Sequence, residues 1–278
     1  MTPAFRFVGA SWTFFWRQPA LRTATFAFVF LPLLAMAALG MDAAMDAASD
    51  RPEYTAVFLV LYLGATVMLT WGTACVLTVG RRLLQAKAGR LRTSFKAVRG
   101  HAAGLIVPII LTEILRGCIT FLWSLPAVAL FLYALSTIDL PLLLVEPFAD
   151  QRPFFFLSGI CLLLIPPAVY MMLTCLSSHV VAFEKVAFRQ ALKRSRQLTQ
   201  ARAGSTLVIT AILGLFWLLG PLSDLAFQLH APAEARLVAA PVVRALCDTA
   251  ATVVWYLGLT QFYKALGGKA KASAEDGE

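Results

Sequence analysis

FEKVAFRQALKRSRQLTQARAG, residues 183–204, is a short basic segment that lies between two long apolar runs. Helical periodicity places a set of mostly apolar side chains on one face of this segment: Phe188, Ala191, Leu192, Ser195 and Leu198. Beside that face runs a stripe of cations spaced i, i+4 and i+7, formed by Arg189, Lys193 and Arg196. A helix of this kind suits the boundary of a bilayer, with apolar side chains among acyl chains and Lys and Arg groups near phosphates. The segment therefore predicts a membrane protein whose apolar hairpins are joined by basic interfacial helices.

The composition of the whole chain points the same way. Of its 278 residues, 59% are hydrophobic and 14% are charged, which is far more apolar than an ordinary globular domain. Several runs approach or exceed the roughly 18 residues that mark a membrane-spanning helix. Their continuity differs from the alternating pattern of a membrane barrel. The predicted fold class is all-α, a polytopic transmembrane helical bundle of about six spans with interfacial amphipathic helices.

The predicted domain organisation is a single transmembrane domain over residues 1–263, followed by a polar cytoplasmic tail at 264–278. We expect an aromatic-rich interfacial helix at 5–19 to lead into a retained first span, and favour this over a cleavable signal peptide. Six spans are predicted at about 22–41, 54–80, 102–125, 154–182, 204–227 and 237–263. Prolines predict a kink at Pro166-Pro167 and a kink or break at Pro126, and the course of the chain from 124 to 153 stays open.

The distribution of basic residues predicts the orientation of these spans. Nineteen of the 24 Lys and Arg residues fall in the N-terminal segment, the loops 81–101 and 184–203, and the tail, whereas three fall in the loops of the other side. Loops rich in Lys and Arg stay in the cytoplasm, so we expect an inner-membrane protein with both termini cytoplasmic. The expected counter-charge is anionic lipid headgroups rather than nucleic acid.

The two basic loops share one pattern. Arg92, Lys96 and Arg99 have the same spacing as Arg189, Lys193 and Arg196, and both triplets are predicted to contact anionic lipid. Recruitment of a protein partner to these loops is the alternative. The shared spacing fits an internal repeat of an interfacial helix and a hairpin, and it fits equally well the basic character of any short loop between spans.

A family resemblance is carried by residues in and around the same segment. These are Glu184, then Ala191-Leu192-Lys193-Arg194-Ser195, then Leu198-Thr199, with an apolar span behind them. This pattern and the plan of six spans resemble the membrane domain of bacterial glycerophosphoryl diester phosphodiesterases and its stand-alone relatives. The phosphodiesterase domain found in some members has no counterpart in the sequence. The resemblance therefore implies a fold and a membrane location, and no reaction.

Four charged residues lie inside predicted spans and form a candidate intramembrane polar site. Glu113 and Arg116 belong to the third span, and Arg244 and Asp248 belong to the sixth. Charges at such depth are costly unless they are paired or hydrated. Depths counted at about 1.5 Å per residue allow cross-pairs of Glu113 with Arg244 and of Arg116 with Asp248. One hypothesis is a site for an ion, a proton or a lipid headgroup, and the other, which we favour, is structural ion pairs.

The remaining polar residues predict no catalytic or metal chemistry. We expect Glu184 to cap a helix or to pair with a basic residue of a neighbouring loop. Five cysteines lie in apolar runs without paired spacing and three histidines do not cluster, so neither a metal nor a cofactor is expected. The catalytic motifs of membrane proteases, phosphate-binding loops and Ser/His hydrolases are absent from the sequence.

The sequence therefore favours a non-enzymatic role in lipid handling, lipid sensing or envelope assembly. The alternative is a small transporter or permease that uses the four intramembrane charges. A third hypothesis is an intramembrane lipid-modifying enzyme.

Overall fold

The computed structural model of the protein describes residues 3–46, 52–85, 95–137 and 152–267. Within these ranges the chain is almost entirely helical and contains no strand, which confirms the predicted all-α fold class. Six segments are long and apolar enough to cross a membrane: Pro19–Ala38, Leu63–Arg81, Ile106–Ala134, Phe155–Glu184, Ala203–His230 and Val238–Ala265. The protein is a polytopic bundle of membrane-spanning helices.

Twelve helices can be followed in the described ranges. They are α1 (Pro3–Arg17), α2 (Pro19–Thr25), α3 (Leu31–Asp46), α4 (Pro52–Gln85), α5 (Phe95–Ala103), α6 (Ile106–Thr137), α7 (Arg152–Leu173), α8 (Ser177–Glu184), α9 (Phe188–Gln200), α10 (Ala203–Leu215), α11 (Leu219–His230) and α12 (Ala233–Ala265). A π-helical turn at Phe26–Phe30 joins α2 to α3, and a 3₁₀ turn at Phe216–Leu218 joins α10 to α11. The short helices α1, α5 and α9 each precede two spans, so the order of elements occurs three times along the chain.

The prolines at which the sequence predicts a kink or a break do not interrupt their helices. α6 continues through Pro126 to Thr137, beyond the expected end of the third span at 125. α7 continues through Pro166-Pro167, and the fourth span breaks only after Leu173. Membrane helices tolerate proline because neighbouring groups and local adjustments accommodate the lost hydrogen bond. The break in the fourth span therefore lies away from the prolines, at a position that the sequence does not mark.

The core lies towards one end of the bundle, where the basic helices α5 and α9 are found. We call this end the basic end. Large side chains from α2, α4, α8 and α12 are fully buried there, among them Leu21, Leu77, Phe183, Leu257 and Tyr263. α6 packs chiefly along α7 and keeps most of its length exposed. The α6–α7 hairpin therefore forms a side wall, while α4 and α12 supply much of the core.

Candidate functional site

The fourth span is interrupted inside the protein. α7 ends at Leu173 and α8 begins at Ser177. Each helix end leaves backbone groups without an intrahelical partner. The connecting residues Thr174, Cys175 and Leu176 are buried, so these groups are shielded from water. Local turns pair the amides of Thr174, Cys175 and Ser177, whereas the amide of Leu176 and the carbonyl of Leu173 have partners from another part of the chain.

Two side chains of α9 are those partners, and we call Ser195 and Thr199 the clasp. Ser195 Oγ accepts a hydrogen bond from the amide of Leu176 and donates one to the carbonyl of Leu173, both at 3.2 Å. Thr199 Oγ1 donates to the same carbonyl at 2.8 Å. One hydroxyl can donate and accept at once, so the clasp satisfies both sides of the break.

The inner face of α9 is consequently packed on protein rather than on lipid. Ala191, Leu192, Ser195 and Thr199 are all buried within the bundle. The expectation that this face dips among acyl chains is therefore wrong. Helical periodicity identifies the face that is buried, but it does not distinguish a protein surface from a lipid surface.

The outer face of α9 carries the basic stripe. Arg189, Lys193 and Arg196 are exposed, and none of them forms an ion pair with a residue that the structure describes. They line a groove of about 410 Å³ together with Leu192, with residues of α6 and α7, namely Leu115, Ile119 and Tyr170, and with Thr174 of the connection between α7 and α8. We call this the basic groove. The wall formed by α9 is cationic, and the wall formed by α6 is apolar.

Glu113 and Arg116 form an ion pair on α6 close to this groove. The second carboxylate oxygen of Glu113 accepts a hydrogen bond from Ser178 of α8. The neighbouring residue, His179, is fully buried, and its Nε2 lies 2.9 Å from the carbonyl oxygen of Tyr256 in α12. Because a carbonyl only accepts, Nε2 carries the proton. α8 is therefore held to α6 by Ser178 and to α12 by His179.

Arg244 and Asp248 belong to a second cluster. Arg244 Nε donates to Asp248 at 2.7 Å, and the guanidinium also pairs with Asp224 of α11. Sequence reasoning missed Asp224. The available signal was that Asp224 is the single acidic residue between 203 and 230, in the span that forms a hairpin with α12.

The structure does not bring the four intramembrane charges of the sequence-based site together. Each arginine pairs with an acid of its own helix, and the cross-pairs Glu113 with Arg244 and Arg116 with Asp248 are not formed. At about 1.5 Å per residue, Glu113 lies about 10 Å from the basic end of α6, whereas Arg244 lies about 31 Å from the basic end of α12. The four residues thus form two separate clusters at different depths.

Glu184 joins three helices at the basic end. This residue ends α8, and its carboxylate accepts a hydrogen bond from the hydroxyl of Tyr263 in α12 at 2.7 Å. The same oxygen lies 3.4 Å from Arg194 Nε. Arg194 belongs to α9, the next helix of the same connection, rather than to a neighbouring loop. Glu184 therefore fixes the turn between α8 and α9.

Two other basic residues of the sequence-based sites, Lys96 and Arg99, are not among the residues that line the basic groove. Lys96 and Arg99 are exposed on α5, and Arg92 lies outside the described residues. In the described ranges, no group of His, Cys, Asp and Glu side chains has an arrangement that holds a metal ion.

Comparisons with protein-family models, with curated proteins and with solved structures found no match. The chemistry of the sites is therefore the basis for assigning a function.

Proposed function

We propose that this integral membrane protein binds anionic phospholipid headgroups in the basic groove and acts in the handling or sensing of lipid. The observation that carries the proposal is the division of the groove into two walls. Arg189, Lys193 and Arg196 line it from α9, and Leu115 and Ile119 line it from α6. An anionic phospholipid has the same division, a phosphate next to acyl chains. Lys and Arg near a membrane surface each contribute about 1 kcal/mol to such binding.

The depth of the apolar wall supports an acyl chain rather than a soluble anion as part of the ligand. Leu115 is the tenth residue of α6 and lies about 14 Å along the helix from its basic end. Ile119 lies one turn further along. A small water-soluble anion would contact the three cations and leave this apolar wall uncovered. A phospholipid would contact both walls.

In the proposed orientation, α5 and α9 face the cytoplasm of a cell with an inner membrane, and both termini lie on that side. The support is the excess of Lys and Arg at the basic end. The cytoplasmic leaflet carries a negative surface potential that attracts such segments. The basic groove would then open towards the leaflet that holds its ligand.

We also propose kinship with the six-span membrane domains of glycerophosphoryl diester phosphodiesterases. The support is that the residues of the resemblance have specific tertiary roles. Ser195 and Thr199 satisfy the broken span, and Glu184 fixes the turn before α9. We expect relatives with the same broken span to carry hydroxyl groups at these positions of the basic helix. The proposed role is non-enzymatic.

The permease hypothesis required one site that contains all four intramembrane charges, and such a site is not formed. Glu113 and Arg116 tie α6 to α8, and Arg244 ties α11 to α12. The first cluster is a mutually neutralising pair, and the second joins one arginine to two aspartates. The interpretation as structural ion pairs accounts for them without a transported substrate.

Lipid titration of the full-length protein, followed by native mass spectrometry, tests the proposed function. Phosphatidylglycerol and phosphatidylcholine with the same acyl chains are compared. The groove variant R189Q/K193Q/R196Q should bind phosphatidylglycerol at least tenfold more weakly, because three cations contribute about 1 kcal/mol each. Its binding of phosphatidylcholine should be unchanged.

The matched control removes the same charge from the basic end outside the groove. Arg6, Lys96 and Lys264 are exposed, and the variant R6Q/K96Q/K264Q should keep most of its affinity for phosphatidylglycerol. Equal losses in the two variants would show that only net charge matters. Unchanged affinity in the groove variant would overturn the proposed function.

A further inference from the structure

A second cavity lies at the basic end and is lined by different residues from the basic groove. Its volume is about 570 Å³, and it lies between α4, α5, the start of α6 and the connection from α8 to α9. Its polar lining includes Arg81, His101 and Lys185. We call it the Arg81 cavity. Phe188 of α9 lines the Arg81 cavity, whereas the next residue, Arg189, lines the basic groove.

The lining of the Arg81 cavity is cationic. Arg81, at the end of the second span, is only 8% exposed. Lys185 follows α8 in a left-handed backbone conformation with φ of 52°, at the turn into α9. No carboxylate is among the described residues that line the cavity. Two basic side chains and a histidine line this partly enclosed space, and the positive charge favours an anionic occupant.

The same cavity has an apolar outlet along α6. Val107 and Leu111 line it, and their side chains are 64% and 44% exposed. They lie one turn apart on the surface of a membrane-spanning helix. The cavity therefore continues into the surface that faces acyl chains. An occupant that fills both parts has a charged head and an apolar chain.

We propose that the Arg81 cavity is a separate binding site for a phosphate-bearing amphiphile. In this site the phosphate lies between Arg81 and Lys185, and the apolar chain lies along Val107 and Leu111. Phosphate is the shared chemistry of two sources, a membrane lipid and a water-soluble phosphate ester. The exposed apolar outlet favours the lipid. The site does not depend on the cations of the basic groove, so a failure of the proposed function would not exclude it, and the reverse also holds.

A glycine in the lining allows the cavity to be filled without any change of charge. Gly104 lines the cavity, and a Cβ at this position would have the carbonyl oxygen of His101, at 3.8 Å, as its nearest neighbour. Gly104→Leu should therefore be accommodated and should occupy the space of the ligand. Gly100→Leu is the matched control. Gly100 is exposed on α5, and a Cβ there would meet nothing within 4 Å.

A second variant removes a charge and retains the backbone. Arg81 is nearly buried, so its replacement would endanger folding. Lys185 is exposed, and Lys185→Asn removes its charge while asparagine tolerates the left-handed conformation. The two routes, filling the cavity and removing one cation, test the same site through different physical effects.

Calorimetric titration of the full-length protein in detergent measures binding at this site. The background is R189Q/K193Q/R196Q, so that the basic groove makes no contribution. Dioctanoyl phosphatidic acid is the probe, dioctanoyl phosphatidylcholine is the neutral-headgroup control, and glycerol 1-phosphate is the water-soluble phosphate. We expect phosphatidic acid to bind, and we expect Gly104→Leu and Lys185→Asn each to weaken binding at least tenfold. Gly100→Leu should leave the affinity unchanged.

The other outcomes overturn the proposal. Binding that survives Gly104→Leu at full strength would exclude the Arg81 cavity as the site. Glycerol 1-phosphate binding as tightly as phosphatidic acid would overturn the assignment of a lipid. Equal binding of phosphatidylcholine would show that the cations do not select the ligand.

Discussion

Ser195 accepts a hydrogen bond at 3.2 Å from the backbone amide of Leu176, nineteen residues earlier in the chain. This contact joins the basic helix α9 to the break in the fourth span. The residue after Ser195, Arg196, lies about 100° further around the same helix and lines the basic groove. Beyond the break, Ser178 of α8 reaches Glu113. A ligand in the basic groove would therefore bind to the helix that also holds the broken span together.

Loss of the Ser195 hydroxyl should destabilise the protein. Ser195→Ala removes the partner of the Leu176 amide and one of the two partners of the Leu173 carbonyl in a buried site, and a net hydrogen bond contributes about 1 kcal/mol. We expect a loss of about 1–2 kcal/mol in the free energy of unfolding in detergent. Gln197→Ala, at an exposed position of the same helix, is the control. Equal stability of the Ser195→Ala variant and the wild type would show that the clasp does not support the break.

The Glu113–Arg116 pair should behave as a mutually neutralising unit. Arg116→Gln leaves the carboxylate without its cation inside an apolar span, and removal of one partner of a buried pair is strongly destabilising. Because both side chains keep some exposure, we expect a loss of about 1–3 kcal/mol. The double variant E113Q/R116Q should be more stable than Arg116→Gln alone. Denaturation in mixed detergent micelles measures the difference, and a double variant that is less stable than either single variant would contradict a structural ion pair.

Gly220 should be required for the second charge cluster. A Cβ at this position would lie 2.7 Å from Arg244 Nε, and closer still to the carboxylate of Asp248. Gly220→Ala should therefore displace the pair and lower the free energy of unfolding by more than about 1 kcal/mol. Gly214→Ala is the control, because a Cβ there meets nothing within 4 Å. Alanine is favoured over glycine by up to about 1 kcal/mol in a helix, so the control should be neutral or stabilising. A neutral Gly220→Ala would show that the packing around Arg244 is not tight.

Thiol labelling should locate the basic end in the cytoplasm. In a background without the five native cysteines, Arg202→Cys and Lys264→Cys should react with a membrane-impermeant maleimide only after the cells are opened. Gln228→Cys and His230→Cys, at the other end of the bundle, should react in intact spheroplasts. These four positions are exposed. Reaction of Arg202→Cys in intact spheroplasts would contradict the proposed orientation.

The six spans can be predicted from the sequence, because long apolar runs are stable in few environments other than the membrane. The break after Leu173 does not follow, because it depends on hydroxyl groups from 19 to 26 residues away. Pro166-Pro167, where the sequence predicts a kink, lies inside a continuous helix. The position of Ser195 on the buried face did follow from helical periodicity, whereas its partner depended on the tertiary fold.

The partners of the charged residues are a second feature that the sequence alone does not predict. Counting residues along a span gives depth, and depth does not say which helices are neighbours. α6 packs against α7, whereas α12 packs against α11. Arg244 therefore forms an ion pair with Asp224 and not with Glu113. Errors of a few residues in the predicted ends of the helices also change the predicted depths, because each residue corresponds to about 1.5 Å.

Photo-crosslinking from within the basic groove tests the central claim most directly. A benzophenone amino acid at Ile119, which lines the groove, is compared with one at Leu132, which is 59% exposed near the far end of the same helix. The membranes contain equal amounts of phosphatidylglycerol and phosphatidylcholine. We predict that position 119 crosslinks phosphatidylglycerol in excess, that R189Q/K193Q/R196Q abolishes this excess, and that position 132 reports the bulk ratio. A bulk ratio at both positions would contradict the account.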